Sequence, residues 1–239
     1  MTEENQQEKP VIAFKGVTKT YGSGKHIITA VSDVSFNIGK GEFVTLVGPS
    51  GAGKSTLIRL LICEEPPTSG QIFVGGYDIS KLTPKEIPYY RRKVGVVFQD
   101  FKLLPQKSVY ENVIFAMEVS GSTDADIKRS VPRILKIVGL DHRMENLPHE
   151  LSGGEKQRVS IARSLVHNPK LIIADEPTGN LDPNTSFEIV ELLLRINQAG
   201  TIVLLATHDR EIVDALARRV VTIKDGKLVS DEQHGRYKA

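Results

Sequence analysis

The chain has 239 residues, of which 25% are charged and 40% hydrophobic, and its net charge is +2. That length supports one large core or two modest ones, and 20 glycines and 12 prolines exclude collagenous and low-complexity classes. The near-balance of charge argues against a broad nucleic-acid footprint, so no direct nucleic-acid partner is expected, and the single cysteine, Cys63, excludes an internal disulfide.

Residues 1–10 are polar and acidic and lack the apolar stretch of a secretory signal, so they read as a flexible tail. From Val11 to Val47, apolar segments such as "VIAFKGV", "AVSDVSF" and "EFVTLV" alternate with glycine turns, which predicts strands and hairpins. "GPSGAGKST" follows, then an apolar run from Leu57 to Ile62 that predicts a helix buried against a sheet, with Cys63 at its end. "QIFV" and "KVGVVF" read as further strands, and the basic run Arg91, Arg92, Lys93 between them as a solvated loop. From Asp100 to Arg163 the pattern becomes helical, with breaks at Gly121 and Pro132. "LIIAD" is a short strand. Asp182 and Pro183 then supply an N-cap and a first helical residue, and Gly200 closes that helix. "TIVLLAT" is a buried strand, and "VVTIKDGKLVS" a hairpin turning at Asp225 and Gly226. Strands alternating with helices predict an α/β fold with a mainly parallel sheet. No run approaches the roughly 18 apolar residues a spanning helix needs, so the chain is expected in the cytosol, with any membrane role arising through a partner.

The chemistry begins at Gly48, Pro49, Ser50, Gly51, Ala52, Gly53, Lys54, Ser55 and Thr56, which satisfy G-x-x-x-x-G-K-[ST] between a strand and a helix. Glycines let backbone N–H groups turn inward around phosphate oxygens at a helix N-terminus. Lys54 would reach the β- and γ-phosphates, and the Ser55 hydroxyl would ligate Mg2+. Asp175, ending "LIIAD", would hold the metal directly or through water at the carboxyl edge of the sheet. Glu176 is positioned to orient or deprotonate the attacking water. Gln99, ending "KVGVVF", could touch the metal and the water, and His208, after "TIVLLAT", could hydrogen-bond the γ-phosphate. Alone, Gln99 would be polar surface and His208 a structural histidine. Their order relative to the other motifs makes them site residues.

A second glycine turn, Ser152, Gly153, Gly154 and Glu155, opens a helix running to about Val166. The plain reading is a capping box and nothing more. Yet two glycines bare amides that suit an anion, and the loop at 48–56 already surrounds its own triphosphate. The turn therefore predicts service to the nucleotide of another copy, in a head-to-tail homodimer formed on ATP binding.

"LSGGE", the loop at 48–56, Gln99, "LIIADEP", "NLD" at 180–182 and His208, in that order, resemble the ATP-binding subunit of an ABC transporter from Tyr21 to Gly226. The resemblance implies a RecA-like P-loop NTPase core with an N-terminal antiparallel β subdomain and an inserted helical subdomain at about 100–165. It implies a single domain over 11–230 with tails at 1–10 and 231–239, using ATP and Mg2+. It further implies that Tyr21 stacks on adenine, that Asp182 lies at the dimer interface, and that Gln99 and the helical insert contact a membrane subunit. Glu155 stands where many members carry glutamine. "PTGNLD" is similar to the branch of lipoprotein-release, macrolide-efflux and cell-division ATPases, and "RRKVGVVFQDFKLLPQKSVYENVIFAMEV" to its cell-division members. Those imply an integral membrane partner of the FtsX type, a place on the cytoplasmic face of the cell membrane, and control of a cell-wall hydrolase. The alternative within the branch is a lipoprotein-release or efflux ATPase. A DNA- or ribosome-directed ABC protein would predict a long coiled-coil insert or two cassettes. A GTPase would predict an N-K-x-D guanine reader, and a kinase would leave the turn at 152–154 unexplained.

Overall fold

The computed structural model describes residues 10–24 and 26–237, so positions 1–9, 25, 238 and 239 of the expected tails and loops lie outside it. Strands β1 (Ile12–Tyr21), β2 (Ile28–Ile38), β4 (Ser69–Val74) and β5 (Tyr77–Asp78) make an antiparallel sheet in the order β2-β1-β4-β5. Its inner face is set by alternation: Ile12, Phe14 and Val17 are buried, and the Phe14 and Phe36 rings stack with centroids 4.6 Å apart.

The second sheet runs β10-β9-β3-β8-β7-β6, built from β3 (Phe43–Val47), β6 (Val94–Phe98), β7 (Leu171–Asp175), β8 (Ile202–Ala206), β9 (Arg219–Lys224) and β10 (Lys227–Glu232). All but β10 are parallel where they pair. β3 and β8 are buried at every residue, as strands covered on both faces must be. Helix α1 (Lys54–Leu61) packs with the antiparallel sheet on one side, through Leu57, Ile58, Leu60 and Leu61. The expected helical insert consists of α3 (Val109–Val119), α4 (Asp124–Ile137) and α5 (Gly153–Leu165), and α6 (Pro183–Gln198) lies against α5 in the other core.

Register decides the function of this architecture. Phe98 pairs with Asp175, Asp175 with Ala206, and Ala206 with Leu46, so four strands end on one row. The residues that follow, Gln99, Glu176, His208 and the loop beginning at Gly48, are thereby delivered to one carboxyl edge.

Three expectations are corrected. Pro132 does not break a helix: it lies inside α4, where the Thr123 cap and buried Ile127, Val131, Ile134 and Leu135 outweigh one missing backbone bond. The run at 91–93 is not a free loop, because Arg91 ends α2 (Ile87–Arg91) and donates to the carbonyls of Ile62 and Cys63 beyond α1. The segment from 231 is not a loose tail up to 237. It completes β10, buries Gly235, and has the Tyr237 amide donating to Asp214 Oδ1 at 2.9 Å. The half-buried Tyr237, through its amide and its ring, holds what polar composition alone made look free.

Candidate functional site

The loop at 48–53 is shaped by backbone that only glycine adopts easily. Gly53 has φ 106, and a Cβ there would stand 2.5 Å from the Ala30 carbonyl oxygen. Gly53 is also the N-cap of α1 and offers no side-chain cap, and among the described residues no acceptor takes the amides of Gly53, Lys54 or Ser55. Uncapped amides at a helix start form an anion socket. Lys54 lies inside it, buried, donating to the Gly48 carbonyl at 2.7 Å and the Pro49 carbonyl at 3.3 Å.

Glu176 faces this socket from the end of β7. Its backbone has φ 49, a left-handed conformation that costs about 1–3 kcal/mol for a non-glycine residue. Its amide donates to the Ala206 carbonyl at 2.9 Å, which helps to hold the turn. The carboxylate is bracketed, with one oxygen 2.9 Å from His208 Nδ1 and the other 3.8 Å from Lys54 Nζ. Such an acid is held between a cation and an imidazole, oriented and accessible. A cavity of about 610 Å³ joins Pro49–Thr56, Gln99, Glu176 and His208. A neighbouring cleft of about 620 Å³ brings Ser55, Gln99, Asp175 and Glu176 together with Asn180.

Asp175 Oδ1 accepts from Ser55 Oγ at 3.4 Å, and burial pushes its pKa above the ordinary aspartate value. A desolvated carboxylate beside a hydroxyl and an amide is an all-oxygen donor set that suits a hard cation such as Mg2+. Among the described residues no group of three or more His, Cys, Asp or Glu is placed to hold a metal ion by itself. Gln99 is tied to the loop after β7: the Asn180 side chain donates to the Gln99 carbonyl at 3.2 Å. The approach is so close that a Cβ on Gly179 would lie 2.7 Å from Gln99 Nε2.

The structure does not bring every expected residue here. Ser152 caps α5, accepting from the Glu155 amide at 3.2 Å, while Glu155 Oε2 accepts from the Ser152 amide at 2.8 Å. None of 152–155 lines the cavity at the phosphate loop. The box uses the amides of 152 and 155 and leaves those of Gly153 and Gly154 with no acceptor among the described residues. The glycines also have a packing reason, because a Cβ on Gly154 would meet Thr185 Cγ2 at 2.4 Å. Asp182 caps α6 by accepting from the Thr185 amide at 3.1 Å. Glu155 is held below the usual carboxylate range by the Ser152 amide first and by Arg143 at 3.1 Å, against partial burial. Tyr21 ends β1 opposite Ile28, with Lys19 Nζ 5.1 Å from its ring centroid, and it does not line the cavity.

A family profile described as "ABC transporter" matches residues 31–179 of this chain. The chain belongs to the ABC transporter family. This ABC ATPase is similar to the "Cell division ATP-binding protein FtsE" of Bacillus subtilis (strain 168), with 52% identity over 95% of this chain and 98% of the relative. It is also similar to the protein of the same name in Escherichia coli (strain K12), at 43% identity over 91% and 97% of the two chains. Among solved structures, "Dimeric structure of a post-hydrolysis state of the ATP-binding cassette MJ0796 bound to ADP and Pi" matches with a TM-score of 0.84 at 36% identity. That match covers 95% of this chain and all of the other.

Among the residues that line these cavities, the sequence reading gave no role to Asn180 or Tyr237. Asn180 had a signal in the glycine before it, which permits the approach to Gln99. Tyr237 had none: it lines the phosphate-loop cavity from the last described position, packed against Val47, Val213 and Val220.

Proposed function

We propose that this ATPase is the energy-supplying subunit of a cell-division ABC complex, and that it binds Mg·ATP between two copies of itself. The observation that carries the reading is the division of anion-binding groups. The loop at 48–56 lines a cavity with its own lysine, whereas Gly153 and Gly154, whose amides have no acceptor among the described residues, do not line that cavity. Head-to-tail pairing places each copy's Ser152, Gly153, Gly154 and Glu155 over the other copy's triphosphate, with Asp182 beside the joint.

Within one copy, the glycine-loop amides and Lys54 hold the β- and γ-phosphates. Ser55, Asp175 and Gln99 would hold Mg2+, which when bound would neutralise charge on the phosphate oxygens. Glu176 takes a proton from, or orients, the attacking water, and His208 keeps the carboxylate aimed while reaching the γ-phosphate. Tyr21 stacks on the adenine. Hydrolysis removes the bridging charge and releases the pair.

No helix among the described residues is long and apolar enough to cross a membrane. The motion passes instead through Gln99 and the helical insert to an integral membrane partner of the FtsX type on the cytoplasmic face, and from there to control of cell-wall hydrolysis. The names of the relatives support this reading over lipoprotein release or efflux. The test is affinity capture of the Glu176→Gln variant with ATP from detergent-solubilised membranes. A co-purifying four-span protein with a large extracellular loop is the expected result, and a lipoprotein-handling partner overturns the cell-division reading.

A further inference from the structure

Immediately after Gln99 the backbone makes an unusual turn. Phe101 and Lys102 both have positive φ, 57 and 51, although neither is glycine. The Lys102 amide donates back to the Asp100 carbonyl at 2.5 Å, closing a three-residue turn centred on Phe101. A turn of this kind with a left-handed central residue is rare and strained, so something outside the segment must hold it. That something is Arg163, near the end of α5, whose guanidinium donates from Nη2 to the Phe101 carbonyl at 2.7 Å and from Nη1 to the Lys102 carbonyl. Burial pushes the Arg163 pKa below the ordinary arginine value. A desolvated cation satisfied by two carbonyls of one strained turn is poor value as a stabilising contact. The forked geometry of arginine does, however, fix both carbonyls at once.

We infer that Arg163 is a positioning residue for the Gln99 segment: it clamps the turn at 100–102 to α5, the helix that Ser152 and Gly153 open, so that Gln99 and the second glycine turn move together. The inference rests on the reading of Gln99 as a site residue and adds to it the device that ties nucleotide sensing to α5. Asp100 and Lys102 line the cleft that holds Ser55, Asp175 and Glu176, so a change in this turn is felt beside the attacking water's position.

The test separates geometry from folding. Lys102→Val leaves the clamp residue intact but places a β-branched side chain where φ is positive. It should lower kcat by at least about 10-fold while ATP affinity, read with a fluorescent nucleotide, changes less than twofold. Arg163→Met should do the same, and adding Lys102→Gly, which tolerates the left-handed conformation without a clamp, should restore kcat to within about threefold of the native protein. A native kcat for Lys102→Val overturns the inference. So does a double variant that recovers its melting temperature without recovering turnover. Gln99→Ala run alongside distinguishes the two failures: unchanged turnover in that variant sinks the reading of Gln99 itself, whereas loss there with native turnover in Lys102→Val sinks only the clamp.

Discussion

Two glycine turns open helices in this ATPase, one at 48–53 before α1 and one at 152–154 before α5, and they are finished in opposite ways. The first leaves its helix uncapped, with Lys54 held against the loop's own carbonyls. The second is capped on both sides by Ser152 and Glu155 and keyed into α6 through Gly154 and Thr185. A helix start without a cap needs a ligand to satisfy it. A capped one is stable alone and can present only the two amides its cap leaves over. The first turn is therefore built to receive an anion, and in the proposed dimer the second is brought to one.

The largest effect should come from breaking the first turn. Lys54→Met is expected to lower ATP affinity by two orders of magnitude or more, measured by equilibrium nucleotide binding, because Lys54 is the one lysine or arginine among the described residues that line that cavity. Glu176→Gln should next separate binding from chemistry. Turnover falls at least ~100-fold, the size of lost general-base help, while ATP binding persists and size-exclusion chromatography shows a dimer that outlives the native one. Near-native turnover would remove Glu176 from the mechanism.

The second turn is tested by Ser152→Arg, which should abolish the ATP dimer and cost the monomer only about 1 kcal/mol of stability from the lost cap. A dimer surviving that change would leave the second turn without its partner's nucleotide. A finer cut uses Gly154→Ala, where the new methyl meets Thr185 Cγ2 and lowers the melting temperature. Adding Thr185→Ser removes that carbon and should restore stability. If dimerisation returns as well, the amides work with a side chain present, and glycine is required there for packing alone.

The smallest change is Glu155→Gln. Because Glu155 has its pKa lowered in the folded chain, its contribution is fully present above the ordinary glutamate range and is lost as pH falls through the depressed folded value. The Gln variant should melt within about 1 kcal/mol of the native protein at neutral pH and show a flatter loss of stability below pH ~4. A larger drop at neutral pH would mean that the pair with Arg143 does more than trim the helix start.

Motif order and strand pattern made the carboxyl-edge cluster legible, because Asp175 ends a strand and Gln99, Glu176 and His208 follow one within two positions, and parallel pairing then leaves little freedom. The structure brings these four to two neighbouring cavities, as their order predicts. Pro132 misled because a single breaker was weighed against local propensity, whereas α4 is held by four buried side chains on the far side of a core that no short window contains. Arg163 and Tyr237 could not be read at all. One acts through carbonyls 61 and 62 residues earlier, and the other through packing on three valines drawn from separate strands and a helix. Contacts to backbone and to generic apolar surface leave no pattern in the letters.

The seating of Tyr237 beside Pro49 and His208 has a practical side. Replacing that ring would reshape one wall of the cavity at the phosphate loop, so turnover measured on such a variant would report packing on three distant valines as well as the glycine loop.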